Sequence, residues 1–439
     1  MRASPQEGSP PVLTGPRLLF ILAALAAAAY APILAFPFIS DSFTEIPLSR
    51  ILGTWHNLPA LIANPIWHFR WTYIFANSWL VQLFGFMPRP FYAASICFHV
   101  LCVWAVYATG AWNKLGWKAA GWAAAFFAVY EGHQEAVMWL AGWSELFLVL
   151  FGCACFVFWV RWLQGGKWPM YALACIAFVG CLFSKESSYV VAPLLALPLI
   201  LDRRFGKRGI AGLLPFLVGA AIYVTVIAVG LQTNPRATDG TFSLSAPMPL
   251  TLLESLWRLL FVWGILAAGF LLWRWRDNWK MIAVSLAWMI LALVPYCFLT
   301  YMHRVPSRET YLASVGLAWL VGIALVKASE RIPVQIVAVI ALLIAGVNVG
   351  ILWKKKHRQF LERAAPTQAL INATPYARGP IHLTCFPYPA QVAIMAVEYA
   401  GGQLVVDGPA DNVDRPHCVS FHYKDILGNV RQITIHSAI

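Results

Sequence analysis

The chain has 439 residues, of which 60% are hydrophobic and 12% are charged, and its mean hydropathy is +0.66. This composition excludes a water-soluble protein, and the continuous apolar runs exclude the alternating strands of a membrane barrel. The net charge of +13 falls mostly in short loops and helix ends, where membrane topology accounts for it, so no nucleic-acid partner is expected.

Apolar segments along residues 18–353 predict an all-α polytopic transmembrane domain with about eleven spans. The residues before it, 1–17, are polar and rich in proline, and we expect them to be disordered in the cytoplasm. The predicted spans are 18–39, 90–111, 117–131, 136–161, 168–184, 188–201, 209–231, 254–273, 281–301, 310–327 and 333–353.

Two regions outside the spans differ in composition. The first outer loop, 40–89, is rich in tryptophan and proline and poor in charge, which predicts interfacial helices lying on the membrane around Asp41. Residues 354–439 begin with a basic segment and then alternate between apolar and polar residues, which predicts a small α+β or β-rich soluble domain outside the membrane. The strand-like segments are 381–384, 403–406 and 432–435.

The loop cations predict the orientation of the bundle. With the N-terminus inside, consecutive inner loops receive most of the lysine and arginine, as topology requires. These cations are Lys114, Lys118, Arg161, Lys167, Arg203, Arg204, Lys207, Arg208, Arg274, Arg276, Lys280, Lys327 and Arg331.

The opposite face receives nearly every cluster that mixes acids, bases and histidine. Chance placement would divide such clusters between the two faces, so their one-sidedness predicts a functional site on the outer face. The clusters contain Asp41, Glu45, Glu131, His133, Glu135, Lys185, Glu186, His303, Arg304, Arg308 and Glu309. One basic run, 354–358, follows the last span and falls outside as well, against the usual charge rule.

Asp41 and Glu45 follow the first span at a spacing of four residues, which places both on one face of a helix. Carboxyl groups at a membrane exit suit proton abstraction, metal binding or pairing with a cation. The alternative is a polar cap that merely ends the helix, and these residues alone do not decide between the two.

Glu131, His133 and Glu135 lie in a short turn between two spans. They either close a helical hairpin as interfacial polar groups or bind an anionic or hydroxyl-rich substrate. His133 and Glu135 form an H-x-E pair, but the sequence has no P-C-x-x-C partner, which excludes the zinc-deaminase motif.

Lys185 and Glu186 lie between two apolar segments. They are either a local ion pair with little effect on stability or functional charges at membrane depth. Arg304 and Arg308 precede Tyr311, and their guanidinium groups suit either a substrate phosphate or lipid headgroups.

The cysteines fall into two groups. Cysteines within the spans are predicted to be small core residues, whereas Cys385 and Cys418 lie in the soluble domain. His99, inside the second span, is predicted to be a buried hydrogen-bonding residue.

The order of these motifs resembles the GT-C superfamily of polyprenyl-phosphate-sugar-dependent membrane glycosyltransferases, near the protein mannosyltransferase and bacterial family-39-like branches. In that family an acid follows the first span, as Asp41 does here in Ser-Asp-Ser-Phe. A later outer turn of the family carries His-Pro-x-x-x-Glu-Ala-Val and then Arg-Asp, and residues 131–137 read Glu-Gly-His-Gln-Glu-Ala-Val. Ser-Lys-Glu at 184–186 and Arg-x-x-Tyr-x-x-x-x-Gly at 308–316 match as well.

The resemblance implies an inverting transfer of a sugar from a polyprenyl-phosphate donor to a hydroxyl of a glycan, lipid or protein. Asp41 would be the catalytic base, with Glu45 as second choice or as a residue that orients the acceptor. No metal or cofactor is required, and Asp41, Glu45 and Glu135 are the residues that would hold a divalent ion. The implied substrate contacts are Glu131, His133, Glu135, Lys185, Glu186, Arg304, Arg308 and Tyr311.

Two departures from the family pattern leave other functions open. Ser42 stands where many relatives have a second acid, and Ser144-Glu145 stands in place of Arg-Asp. These changes keep a non-catalytic scaffold that binds lipid-linked glycans as one alternative. A lipid or solute transporter is the other, although the charged clusters lie at span ends on one face rather than within the spans.

The short loops favour a bacterial inner membrane, with the site facing the periplasm or exterior. An outer position of the C-terminal domain would place Cys385 and Cys418 in an oxidising compartment, where we expect them to form a disulfide.

Overall fold

The protein is predominantly helical, with one small sheet near its C-terminal end. The computed structural model describes residues 15–230, 240–274, 278–300, 303–409, 414–415 and 418–436. The segment 1–14, most of the predicted disordered N-terminus, lies outside the described residues.

The helices before residue 240 are α1 Pro16–Tyr30, α2 Ser42–Leu52, α3 Leu58–Ala63, α4 Trp71–Phe84, α5 Pro88–Ala108, α6 Gly116–Val129, α7 Gln134–Met138, α8 Trp143–Leu163, α9 Trp168–Leu182, α10 Val191–Leu194, α11 Leu197–Leu201 and α12 Gly206–Gly230. Those after it are α13 Met248–Leu260, α14 Trp263–Arg274, α15 Trp279–Leu293, α16 Ala313–Ser329, α17 Val334–Ile351, α18 His357–Ala373 and α19 Ala390–Tyr399. The strands are β1 Ile381–Cys385, β2 Leu404–Val406, β3 Cys418–Lys424 and β4 Val430–His436.

By length and composition, fewer helices of the structure could span a membrane than the sequence predicted. Within the described residues, six helical segments are long and apolar enough to cross a bilayer, or seven if the bent pair α13 and α14 is one span. The predicted count of eleven is therefore not confirmed. The six are Pro16–Ala35, Pro88–Ala111, Leu140–Leu163, Gly206–Gly230, Trp279–Phe298 and Val334–Tyr376, and shorter apolar helices cover Trp168–Leu182, Glu186–Leu201 and Ala313–Ser329.

Two predicted spans are broken for local reasons. The segment 254–273, predicted to be one span, consists of two helices whose axes differ by 81°. The bend arises because Phe261 is extended and Val262 has a φ of 66°. The prediction 188–201 consists of short helical pieces, and its prolines, Pro193 and Pro198, remove backbone donors that a continuous helix needs.

A single long helix explains the basic run that disagreed with the predicted topology. Val334–Tyr376 continues from α17 through a π-helical turn at Leu352–Lys356 into α18. The run 354–358 therefore lies where this helix leaves the bundle. Lys356 Nζ lies 3.7 Å from Glu131 Oε2, so the basic run is at the same end as the outer acidic clusters.

The C-terminal domain is α+β. Its strands form a four-stranded sheet in the order β2-β1-β3-β4, with β1 and β2 parallel and the other pairs antiparallel. The three predicted strand segments are found in β1, β2 and β4, whereas β3 was not predicted. Buried residues of β1 and β3 alternate with partly exposed ones, so one sheet face packs into the core and the other stays open.

The C-terminal domain docks beside the first outer loop. The Tyr399 hydroxyl at the end of α19 donates to the carbonyl of Phe86 at 3.0 Å, and its ring packs against Phe43 of α2. The loop itself contains α2, α3 and α4 and forms a platform between the bundle and the small domain. Asp41 lies at the start of that platform.

Candidate active site at the outer end of the bundle

Asp41 stands at the N-terminal end of α2 with little to neutralise its charge. The preceding residue, Ser40, has a φ of 42°, a strained left-handed conformation that fixes the direction in which the chain enters α2. The Ser40 hydroxyl donates to Asp41 Oδ1 at 3.1 Å, and within the described residues no cation lies at ion-pair distance from Asp41. The side chain is half-buried, so this carboxylate is available to a ligand.

Glu45, one turn further along α2, is held differently. It is 8% exposed, and the hydroxyl of the buried Tyr73 donates to Glu45 Oε2. Burial and then the Glu45 carboxylate raise the pKa of Tyr73 well above its usual range, so the phenol remains a donor. Glu45 is consequently anchored where Asp41 is open.

Arg70 is a site residue that the sequence interpretation missed. Its guanidinium forms a bidentate pair with Glu186, with Nε to Oε1 at 2.8 Å and Nη2 to Oε2 at 3.0 Å. Thr72 adds a backbone hydrogen bond to the carbonyl of Phe183 at 3.1 Å. The pair thus fastens the first outer loop to the segment that carries Lys185. The sequence feature that could have identified Arg70 is that it is one of very few charged residues in a loop rich in aromatic residues.

Lys185 lies in a buried cluster of charges. It pairs with Glu145, which has no exposed surface, and its Nζ is 3.8 Å from Glu309 Oε1. The Tyr296 hydroxyl donates to Glu145 Oε2 at 3.2 Å, and the Tyr296 ring lies 4.7 Å from Lys185 Nζ. Lys185 was predicted to contact substrate, and in the structure it neutralises two carboxylates.

Glu145 and Tyr296 are functional-site candidates that sequence reasoning did not select. Glu145 was noted only as the residue in place of an expected Asp, inside a predicted span. An ionisable residue at that depth is itself a signal of a polar network. One oxygen of Glu309, Oε2, is buried without a hydrogen-bond partner in the described part of the chain.

Glu135 connects the bundle to the C-terminal domain. The backbone N–H of Arg308 donates to Glu135 Oε2 at 3.2 Å, and Arg363 of α18 donates to Oε1 at 3.3 Å. Burial raises the pKa of Glu135, but Arg308 and Arg363 outweigh it, so the net pKa is below its usual value. Glu135 is therefore a stable carboxylate.

Asp41 lies close to this connection through Tyr388. The Tyr388 hydroxyl donates to the carbonyl of Arg363 at 2.6 Å. Burial, opposed by Arg363 and reinforced by Asp41, raises the pKa of Tyr388 to about 12. Asp41, Arg363 and Tyr388 thus share one electrostatic environment at the edge of the C-terminal domain.

Two predicted substrate contacts are buried in the core. His133 and Tyr311 have no exposed surface, and their rings meet at 4.5 Å between centroids. His133 Nε2 bonds with Ser314 Oγ at 2.7 Å, and Tyr311 bonds with His99 Nδ1 at 2.6 Å. In this structure both residues support the turn that carries Glu131 and Glu135. The expected burial and hydrogen bonding of His99 are found.

An apolar cavity opens next to these charges. It has a volume of about 880 Å³ and lies at the bend between α13 and α14, beside α17. Trp257 and Phe261 are exposed in it, while Arg258, Arg304 and Glu131 supply its charged rim. Glu254 lines the cavity as well, so its charged groups are two arginines and two carboxylates. Arg304 is exposed, and Arg258 was not selected from the sequence although it is a cation within a predicted span.

The segment that carries Arg304 is held in place by α13. The Val305 N–H donates to Ser255 Oγ at 3.0 Å, and Arg258 donates to the Val305 carbonyl. The two arginines therefore face the same cavity from a fixed backbone.

The carboxylates named for a divalent ion do not form a three-ligand group. Asp41, Glu45 and Glu135 do not bring three oxygens within common ligand reach in the described residues. The structure thus separates their roles: an open Asp41, an anchored Glu45 and an ion-paired Glu135.

Comparison with known proteins places this geometry on a recognised fold. No family model matches the chain, and no curated protein matches its sequence. Among solved structures, the archaeal oligosaccharyltransferase AglB from Archaeoglobus fulgidus, in complex with an inhibitory peptide and a dolichol-phosphate, aligns with a TM-score of 0.50 and 12% identity. That alignment covers 96% of this chain and 74% of AglB.

Two further structures are similar at a slightly lower score. ArnT from Cupriavidus metallidurans bound to undecaprenyl phosphate has a TM-score of 0.49 and 14% identity over 90% of this chain and 86% of ArnT. The apo oligosaccharyltransferase from Archaeoglobus fulgidus has a TM-score of 0.49 and 15% identity, over 81% of this chain and 57% of that protein. The protein has the fold of the GT-C membrane glycosyltransferases, as the motif resemblance implied.

Proposed function

We propose that the protein is a membrane glycosyltransferase that moves a sugar from a polyprenyl-phosphate donor to an acceptor hydroxyl. The observation that carries this proposal is the half-buried Asp41 carboxylate, which has a hydroxyl partner and no cation at ion-pair distance in the described residues. The fold of AglB, which was solved with a dolichol-phosphate, supports the class of donor.

Asp41 is the base in this scheme. It takes the proton of the acceptor hydroxyl as that oxygen forms a bond to the anomeric carbon of the sugar. The bond from the anomeric carbon to the phosphate oxygen breaks, and the polyprenyl phosphate leaves with the electron pair. A single displacement of this kind inverts the anomeric centre. No step uses a metal or another cofactor.

The cavity between α13, α14 and α17 is the donor site in this scheme. Exposed Trp257 and Phe261 suit a polyprenyl chain, and Arg258 and Arg304 suit the phosphate to which it is attached. The guanidinium groups of these two arginines stabilise the negative charge that develops on the leaving phosphate. Arg308, whose guanidinium lies 5.1 Å from the Trp139 ring, belongs to the same end of the bundle.

The acceptor approaches between the first outer loop and the C-terminal domain. Glu45 is anchored by Tyr73, so it positions α2 rather than exchanging protons. Glu135 and Glu186 are paired with arginines and hold the walls of the site. The two predicted contacts that are buried, His133 and Tyr311, act through the turn that they support.

The proposed location is a bacterial inner membrane, with the site on the exterior side. Cations such as Lys114, Arg204 and Lys327 occupy the opposite end of the bundle, as the positive-inside rule requires of the cytoplasmic end. Arg204 there pairs with Asp202 at 2.6 Å, and Lys327 pairs with Glu330 at 2.8 Å.

The decisive experiment is turnover of a panel of polyprenyl-phosphate sugars by the purified protein and by Asp41→Asn. We expect the turnover number of the variant to fall about 10²–10⁴-fold, with unchanged binding of the lipid donor, because a positioned general base contributes that much. Glu330→Gln, which removes an exposed acid at the opposite end, is the matched control and retains full turnover.

Other outcomes have definite meanings. Turnover that survives Asp41→Asn rejects Asp41 as the base and leaves Glu45 or Glu135 for that role, contrary to the positioning roles proposed for them. Saturable donor binding without turnover in the parent protein favours the non-catalytic scaffold. The presence of Ser42 where many relatives have a second acid is the observation that supports this alternative. If the parent protein shows neither donor binding nor turnover, a transporter is favoured.

A further inference from the structure

Three potential metal ligands meet on the open face of the C-terminal sheet, in a place that the glycosyltransfer scheme does not use. They are His382 in β1, Asp407 directly after β2 and His422 in β3. Each offers one ligand atom, and these atoms all lie within 4.8 Å of one another. Among the described residues, this is the only group of three or more potential metal ligands with that spacing.

We propose that His382, Asp407 and His422 bind a divalent transition-metal ion, with Zn²⁺ as the ion that their donors suit. Two imidazole nitrogens and one carboxylate oxygen are ligands typical of zinc, and three protein ligands leave a fourth position for water. The site is separate from Asp41, so the proposal does not depend on the glycosyltransferase function.

Strand pairing puts the two histidines side by side. His382 is directly opposite His422 in the antiparallel pair of β1 and β3, and the rings stack at 5.0 Å between centroids and 13° between planes. Neighbouring Leu383 and Phe421 are buried, so the alternation of the strands directs both histidines to the open face.

The third ligand is also fixed by the sheet. β2 pairs with β1 in parallel, and the N–H of Asp407 continues the ladder by donating to the carbonyl of Leu383 at 2.9 Å. This bond brings Asp407 Oδ1 to 3.0 Å from His382 Nδ1. The three ligands thus come from three chain segments that only the folded sheet assembles.

Closing the group around an ion requires a small movement. Zinc bonds of about 2.0–2.1 Å in a tetrahedron separate ligand atoms by about 3.3 Å, so the widest pair has to approach by about 1.5 Å. The side chains of His382 and Asp407 are 37% and 34% exposed, so a rotation about χ1 or χ2 can supply this movement.

A covalent link stabilises the same two strands. Cys385, three residues after His382, forms a disulfide with Cys418, four residues before His422, with a Cα–Cα distance of 5.8 Å. The link holds β1 against β3 and limits the freedom of the two histidines relative to each other. We therefore expect reduction of this disulfide, followed by alkylation of the two thiols so that they cannot bind the ion, to weaken metal binding several-fold without removing any of the three ligands.

The test is a titration of the full chain with ZnCl₂, followed by isothermal calorimetry in detergent. The protein carries no polyhistidine tag, and its free thiols are alkylated so that exposed Cys97 cannot bind the ion. We expect one Zn²⁺ per chain. Because even outer-shell partners change affinity about 10–100-fold, His422→Gln and Asp407→Asn are each expected to weaken binding at least about 100-fold.

A matched control separates this site from casual histidine binding. His56→Gln removes an exposed histidine of the first outer loop and leaves the stoichiometry and affinity unchanged. A second measurement needs no variant: Zn²⁺ protects His382 and His422 of the parent protein from diethyl pyrocarbonate, as mapped by mass spectrometry. Zero stoichiometry, equal binding in all the variants or no protection of the two histidines overturns the proposal.

Discussion

Asp41 and Glu145 are both acids at one end of the helical bundle, but their surroundings differ. Glu145 has no exposed surface and is satisfied by Lys185 and by the Tyr296 hydroxyl. Asp41 is half-buried and accepts a hydrogen bond from Ser40. A buried, neutralised carboxylate stabilises structure, whereas an open one can take a proton from a substrate. The comparison therefore favours a structural role for the Glu145 cluster and leaves Asp41 as the proposed base.

The largest expected effect on stability comes from Lys185→Met. The change leaves Glu145 and Glu309 buried without their cation, and breaking a buried pair costs about 3–5 kcal/mol in the free energy of unfolding. We expect a large fall in the thermal unfolding temperature in detergent. Lys327→Met, which breaks an exposed pair with Glu330, is the control and changes stability by less than about 1 kcal/mol. Equal stability of the two variants would contradict the assignment.

Arg304→Gln tests the charged rim of the cavity rather than the stability cluster. A hydrogen bond to a charged group contributes about 1.5–3 kcal/mol, so the affinity for a polyprenyl phosphate falls about 10–100-fold. Arg304 is exposed, and unfolding is expected to be unchanged. The measurement is binding of a fluorescent polyprenyl phosphate, with Arg208→Gln at the opposite end as control. A loss of the same size in the control would remove Arg304 from the donor site.

Arg70→Gln distinguishes positioning from chemistry. The change leaves Glu186 without its bidentate partner and loosens the first outer loop, at a cost of about 1–2 kcal/mol because the pair is partly exposed. We expect faster proteolysis within 40–69 and lower turnover. Arg70→Lys restores the charge but not the fork, so it rescues only part of the loss. Wild-type proteolysis of Arg70→Gln would show that the pair does not hold the loop.

The smallest effect concerns the pH dependence of Glu135, which is partly buried and paired with arginine. Its pKa is below the usual 4.5, so its pairs with Arg308 and Arg363 stabilise the fold above that pH and are lost as pH falls through the lower native value. Glu135→Gln is expected to lower stability by about 1 kcal/mol at pH 7 and by less below pH 4. Unfolding temperatures of both proteins at the two pH values provide the measurement. A difference that grows at low pH would reverse the sign of this argument.

Much of the architecture could be predicted because composition and charge act over long segments. The helical bundle, the clustering of acids at one end of it, and three strand segments follow from hydropathy, loop charge and alternation. The break at Val262 could not be predicted in this way, since one residue with a positive φ leaves no mark on apolar periodicity. The same holds for the pieces around Pro193, where a span-length run of apolar residues concealed the breaks.

The site was predicted as a list of residues rather than as a set of pairs. Glu135 and Glu186 were selected because they are charges at span ends. Their partners come from distant positions: Arg70 is 116 residues from Glu186, and Arg363 is 228 residues from Glu135. Only the packed structure shows which charges are already neutralised, and that distinction separates Asp41 from Lys185.

The unbroken helix from Val334 to Tyr376 makes the C-terminal domain respond to the bilayer itself. The 17 residues of α18 extend about 26 Å beyond the π-helical turn, so a change of 10° in the tilt of the last span moves the far end by about 4–5 Å. Spans tilt to match the local hydrocarbon thickness. We therefore expect the gap between this domain and Asp41 to differ between thin and thick bilayers, and with it, under the proposed function, the access of the acceptor.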